Sequence, residues 1–202
     1  MLDMTTIGDG KFPANQAMAM LTLQTTEATE EFTTFSDNAA LDLRMRFRTS
    51  LRLLASTVAL VTASHGDRRG GLTATAACSL SIDPPLMIVC INRRSRTHRL
   101  ICDSDRFCIN YPGIHQAEIA QLFARHLADS EDKFAIGSWG VSAFGNPILL
   151  DGLATVECSV RRRIDEGTHS VFIGAVLDVV AQKQYEPLVY SQGGFARLVP
   201  TD

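Results

Sequence analysis

Residues 72 to 82 alternate without a break. Leu72, Ala74, Ala76, Cys78, Leu80 and Ile82 are apolar, and Thr73, Thr75, Ala77, Ser79 and Ser81 fall between them. A period of two sends successive side chains to opposite faces of an extended chain. The spacing therefore predicts one long strand with an apolar face and a small, hydroxyl-bearing face. Asp83-Pro84-Pro85 ends it, because proline has no N–H for a ladder. The run that follows, residues 86–91, is apolar throughout and predicts a strand buried on both faces. It is also the longest apolar run in the chain, whereas a membrane-spanning helix needs about 20 such residues. No membrane association is expected.

Around this stretch the pattern is mostly β. Leu43, Phe47, Leu51, Leu54 and Ala55 recur at helical spacing from Asp42 onward, predicting an amphipathic helix that enters the domain. Residues 58–62 read as a strand, and the segment 65–71, with Gly66, Gly70 and Gly71, as a turn. A short helix is expected over 95–102, a strand over 106–111 and a helix over 115–126. Further strands are expected at 148–150 running into 153–161, at 170–181 and at 187–190, with Gly167 marking a hairpin. No βαβ repeat runs through the chain. The fold class this predicts is mainly β with appended helices, a barrel and not a doubly wound sheet. The 202 residues suffice for one domain with a sizeable core.

Charge divides the chain unevenly. Residues 1–43 carry seven acidic side chains and one basic, Lys11, while the remainder carries 18 basic against 15 acidic. Residues 1–42 are expected to be an acidic arm, flexible or partly helical, with 15–23 the best helical stretch; wrapping a partner subunit is the other use open to it. Residues 43–202 are expected to form the domain. Its mild positive balance suits an anionic phosphate ligand, and the overall charge of −3 gives no reason to expect nucleic acid. The five cysteines are odd in number, sit in apolar runs and form no C-x-x-C pair. They read as buried free thiols, with no disulfide framework and no metal site. The N-terminus lacks the pattern of a secretory signal, so a cytoplasmic protein is expected.

Four segments carry candidate chemistry. The Thr73–Ser81 face would let a flat ring approach the backbone closely, and it fits equally an ordinary strand whose hydroxyls meet water. Asn92-Arg93-Arg94-Ser95-Arg96-Thr97-His98 lies where a buried strand ends and a helix begins. Ser95 can cap that helix, whose first amides, with the hydroxyls and arginines, suit a phosphate. A solvated basic turn is the plainer reading of the same residues. His169, beside the Gly167 turn, either faces solvent or contacts a nicotinamide. Tyr190-Ser191-Gln192-Gly193-Gly194-Phe195 brings aromatics beside a ligand or packs them in a core. There is no G-x-G-x-x-G, P-loop, G-x-S-x-G or H-E-x-x-H, so Rossmann and hydrolase readings have nothing to rest on.

Several of these segments together resemble the flavin reductase-like, FMN-binding split-barrel family. The run Gly71-Leu72-Thr73-Ala74-Thr75-Ala76-Ala77-Cys78-Ser79-Leu80-Ser81-Ile82-Asp83-Pro84-Pro85-Leu86 is similar to its signature. Cys90-Ile91-Asn92-Arg93-Arg94-Ser95-Arg96-Thr97 resembles its second segment. Asp132-Lys133-Phe134, residues 153–158, residues 167–174 and Leu188-Val189-Tyr190 follow in order. The likeness covers about residues 43–198.

The resemblance implies a split β-barrel of Greek-key type, a homodimer with flavin near the subunit interface, and often service as the reductase of a two-component flavin-dependent monooxygenase. It implies Thr73, Ala74 and Thr75 along the isoalloxazine and Ser79 with its neighbours at the ring edge. Ser95, Thr97 and a nearby arginine, Arg96 among them, would hold the phosphate beside Asn92. His169 would stand at the nicotinamide and Tyr190 near the ligand. Cys78 stands where relatives often carry Thr or Ser. The expected cofactors are FMN or FAD with NADH or NADPH, and the expected reaction is hydride transfer between stacked rings. Two alternatives stay open: an electron carrier or ligand-binding flavoprotein without nicotinamide turnover, and a reductase of a corrinoid or ferric chelate.

Overall fold

The eleven-residue alternating stretch is two strands, and the break between them shapes the molecule. In the computed structural model, which describes residues 28–125, 132–182 and 186–199, β1 (Ser56–Thr57), β2 (Ala59–His65) and β3 (Arg68–Ala74) are followed by β4 (Ala77–Ile82) and β5 (Pro85–Asn92). The helix α2 (Arg96–Ser104) leads to β6 (Arg106–Tyr111), and a short 3-10 turn leads into α3 (Ala117–Ala124). Then come β7 (Trp139–Val141), β8 (Pro147–Leu149), β9 (Ala154–Glu166), β10 (His169–Ala181), β11 (Val189–Ser191) and β12 (Gly194–Ala196).

The main sheet has seven strands in the order β3-β2-β6-β9-β10-β5-β4, with antiparallel pairing throughout. Its two edges, β3 and β4, are joined by Thr75 and Ala76 alone. In a flat sheet six strand spacings would hold those edges roughly 29 Å apart, yet the three residue steps from Ala74 to Ala77 reach at most about 11 Å. The sheet must curl until its edges nearly meet. This is the split barrel expected from the sequence: mainly β, closed on itself, with helices added outside.

Burial follows from that curl. Ala59, Val61 and Ala63 of β2 face one cluster with Val89, Ile91 and Phe107, while Leu60 turns the other way, with Val58 just ahead of the strand, toward Phe123, Leu149 and Leu188. β2 is thus buried on both faces. β5, expected to be so too, buries Met87, Val89 and Ile91 fully and their alternates only in part, because it lies next to the edge strand. Gly70 and Gly71 are strand residues and not part of the turn, which is made at Gly66. A Cβ on Gly70 would lie 2.8 Å from Leu100 Cδ1, and one on Gly71 would run into the Phe123 ring. These two glycines let α2 and α3 pack directly on β3.

The remaining expectations differ mainly at their ends. The helix placed from Asp42 onward is α1 (Ala28–Leu51), so it begins earlier and stops before Leu54 and Ala55. The strands placed at 153–161 and 170–181 are the two 13-residue arms of one hairpin, with Gly167 at φ +54 in its turn. β7 and β12 are additions. Of the five free cysteines only Cys108 and Cys158 are buried; Cys90 and Cys102 are half-buried and Cys78 is exposed. The helix expected over 15–23 and the end of the one expected over 115–126 lie outside the described residues. Among those residues, no helix is long and apolar enough to cross a membrane.

Candidate active site

A groove of about 730 Å³ runs along the seam where the barrel edges meet. Its floor is the end of β3 and the two joining residues, so Thr73, Ala74, Thr75 and Ala76 line it. Small residues stand there because the chain crosses from one edge to the other, and larger side chains would fill the gap. Thr73 is tied down, since its hydroxyl donates to the Ala120 carbonyl at 2.6 Å.

One end of the groove is the start of α2, where Asn92, Arg94, Ser95, Arg96 and Thr97 line it. Ser95 is the N-cap in extended conformation, and its Oγ accepts the His98 amide at 3.0 Å. The amides of Arg96 and Thr97 belong to the first turn, which a helix cannot satisfy internally. Asn92 Oδ1 accepts the Arg94 amide at 2.9 Å, fixing the turn that presents these groups. Amides, hydroxyls and two arginines at a helix start are the chemistry that suits a phosphate. His169 reaches the same groove from β10, where it pairs directly with Asn92 across the ladder. It is exposed, and its Nδ1 lies 2.8 Å from the Thr168 hydroxyl.

The opposite wall was not singled out as a site in the sequence. Lys133 donates to the Phe123 carbonyl at 2.8 Å and the Gly71 carbonyl at 3.3 Å, joining the strand to the helix at the groove. Burial pushes its pKa down. Arg69 pairs with Asp132 at 2.7 Å and lies 4.5 Å from the centre of the Phe134 ring. All four residues line the groove. Asp132-Lys133-Phe134 did stand out as a segment of the family likeness, the one signal that marked this wall.

Eight of the eleven expected site residues therefore share one groove: Thr73, Ala74 and Thr75 on its floor, Asn92, Ser95, Arg96 and Thr97 at its end, and His169 beside them. Cys78 and Ser79 are exposed on β4, past the break, and do not line it. Tyr190 is on β11 in a separate three-stranded sheet, edge-on to Phe195 with ring centres 5.9 Å apart.

The residues present fit a flavin. A floor of small side chains accepts a flat heterocycle, and the volume is of the size that cofactor pockets have. The charged donors gather at one end, as a molecule with an aromatic head and a phosphate tail requires. Barrel and groove together define a split-barrel flavoprotein.

Comparison with known proteins makes the class specific. Residues 51–198 match the model of the flavin reductase like domain. An FMN reductase (NADH) of Agrobacterium fabrum, RutF, is 34% identical over 173 residues, spanning 86% of this chain and 95% of that protein. The solved structure of the NADH:FAD oxidoreductase SgcE6 from Streptomyces globisporus superposes with a TM-score of 0.73 at 26% identity, covering 78% of this chain and 94% of that one. Nitrilotriacetate monooxygenase component B from Mycobacterium thermoresistibile gives 0.72 at 29% identity, covering 81% and 93%. The chain belongs to the flavin reductase family, and it is an oxidoreductase that works with a flavin and a reduced nicotinamide.

Proposed function

We propose that the chain reduces FMN with NADH in the seam groove and releases the reduced flavin to a separate monooxygenase. The observation that carries this reading is the groove itself, with a small-residue floor leading to a capped, arginine-rich helix start. Bound there, the flavin supplies the hydride acceptor and the nicotinamide the hydride. The chain's own residues bind and orient. Ser95, Thr97 and the flanking arginines hold the phosphate, fixing one end of the ligand. Thr73, Ala74 and Thr75 leave room for a ring against the backbone, on which a second ring can stack at reacting distance. His169, at the groove's edge, takes the nicotinamide. Lys133 sets a positive charge in the wall, where it favours the reduced, more anionic ligand.

The FMN and NADH pairing rests on the Agrobacterium relative, which matches over most of both chains. The oxygenase partner rests on the Mycobacterium neighbour, itself a monooxygenase component. We also propose a homodimer, because Leu80 and Ile82 on the edge strand β4 and Leu177 and Val179 on β10, two strands further in, leave apolar side chains exposed toward one edge of the sheet. The cytoplasm suits a chain with five free thiols. Turnover measured with NADH or NADPH against FMN, FAD, a corrinoid and a ferric chelate tests the reading. NADH with FMN should be the fastest pair. Faster turnover of the chelate or corrinoid than of either flavin contradicts it.

A further inference from the structure

Behind the phosphate end of the groove five side chains close a ring of polar contacts. Cys102, one turn after His98 on α2, has its sulfur 3.8 Å from His98 Nδ1. That sulfur also accepts an N–H from Arg163 at 3.1 Å. His98 Nε2 lies 2.7 Å from the Ser170 hydroxyl, and Ser170 in turn donates to Asp165 at 2.6 Å. Arg163 returns to Asp165 at 3.2 Å. The members come from α2, β9 and β10.

The proton positions follow from counting donors. Asp165 is held below the usual carboxylate range by the Ser170 hydroxyl and then by the Arg163 and Arg93 charges, so it accepts. Ser170 has one proton and spends it on Asp165. Its oxygen must therefore accept from His98, which puts the imidazole proton on Nε2. Burial first, then the Arg163 charge, pushes the His98 pKa down against the opposing pull of Asp165, which favours the neutral ring. Nδ1 is left as a bare lone pair facing the thiol of Cys102, while Arg163 offers the sulfur a charged donor. A nucleophile, a base, an orienting chain and a cation are thus in sequence.

Burial, reinforced by the Glu157 carboxyl, pushes the Cys158 thiol up to about 12 and raises that of Cys108 further. Burial raises that of Cys90 as well. Cys78 lies on β4, away from this ring.

We infer that Cys102 is a peroxide-reactive thiol, converted to a sulfenic acid with His98 as its base. His98 Nδ1 takes the thiol proton, and the thiolate sulfur attacks one oxygen of hydrogen peroxide. The O–O bond breaks, and hydroxide leaves with the proton held by the imidazole. The sulfur is oxidised by two electrons, the peroxide is reduced, and the products are the sulfenic acid and water. Peroxide arises where reduced flavin meets oxygen, so its supply rests on the reductase reading; the thiol chemistry does not.

The test treats purified full-length protein with limiting hydrogen peroxide, traps sulfenic acid with dimedone and follows all five cysteines by mass spectrometry. Cys102 should be labelled first, and Arg163→Ala should slow it by about tenfold. Arg163 is exposed, so the variant keeps its fold, which circular dichroism checks. Ser170→Ala, which removes the orienting acceptor, should slow labelling as well. Labelling of Cys102 no faster than of the other cysteines, or unchanged by Arg163→Ala, overturns the inference. NADH oxidation assayed on the same sample keeps the two readings apart, because an inert Cys102 in a working reductase sinks only this one.

Discussion

Among the described residues, Glu157 is the one fully buried carboxylate. Only 2% of it is exposed; Oε1 accepts from Asn146 at 2.6 Å and Oε2 has no protein partner. Burial raises its pKa above the ordinary 4.5. The folded protein therefore holds this proton more tightly than the unfolded chain. The stability contributed by this group is full below about pH 4.5 and is lost as pH rises toward the folded value, by at most about 1.4 kcal/mol per pH unit. Glu157→Gln mimics the protonated form, so urea melts between pH 4.5 and 8 should show a flatter pH dependence and a more stable protein at the upper end. An identical pH dependence in both proteins would show that Glu157 titrates normally. Lys133→Met should keep the packing of the stem but take the half-buried donor away from the Gly71 and Phe123 carbonyls, lowering stability by about 1–3 kcal/mol in the same assay. The contacts of such residues were hidden in the sequence, since Lys133 meets Gly71 across 62 positions. Ser95 was legible because a helix cap is local: the hydroxyl and the amide it accepts are three residues apart.

At the scale of elements, period and partner must be separated. The alternation from 72 to 82 correctly announced extended chain, but a period of two is blind to which strand lies alongside. β3 pairs with β2 and β4 with β5, at opposite edges of the sheet, and the pattern runs straight through the crossing. The small residues at that crossing line the groove. Thr75→Trp is thus expected to leave thermal stability nearly unchanged, because position 75 is exposed, and to weaken flavin binding at least about tenfold by filling the trough. Fluorescence titration of the flavin measures this. Unchanged affinity would place the ring elsewhere. α2 gives a second element test. Ser95→Asp keeps a good cap, so stability should hold, while a carboxylate aimed at the phosphate end should weaken flavin binding by tenfold or so. Ser95→Ala should instead lower stability by about 1 kcal/mol as the cap is lost. If Ser95→Asp binds flavin as the native protein does, the phosphate does not sit at α2.

For the whole molecule, a mainly β fold with no βαβ repeat was legible from the alternating and strand-sized apolar runs and the turns between them. A barrel was expected too, but not which edges close it, because closure runs through two residues joining the edges of a seven-stranded sheet and strand order is not written in any local pattern. Assembly belongs to this scale too. Light scattering should give about twice the 22.1 kDa chain mass, and Ile82→Asp, which puts a charge on the most exposed apolar position of β4, should shift it toward the monomer. A monomeric native protein would contradict the proposed pairing. The central claim, that a flavin and a nicotinamide meet face to face in the seam groove, is tested most directly by anaerobic stopped-flow mixing of NADH with the flavin-loaded protein. The flavin visible band should bleach rapidly in the native protein and far more slowly in Thr75→Trp. Bleaching that is absent in the native protein, or equally fast in both, would contradict the account.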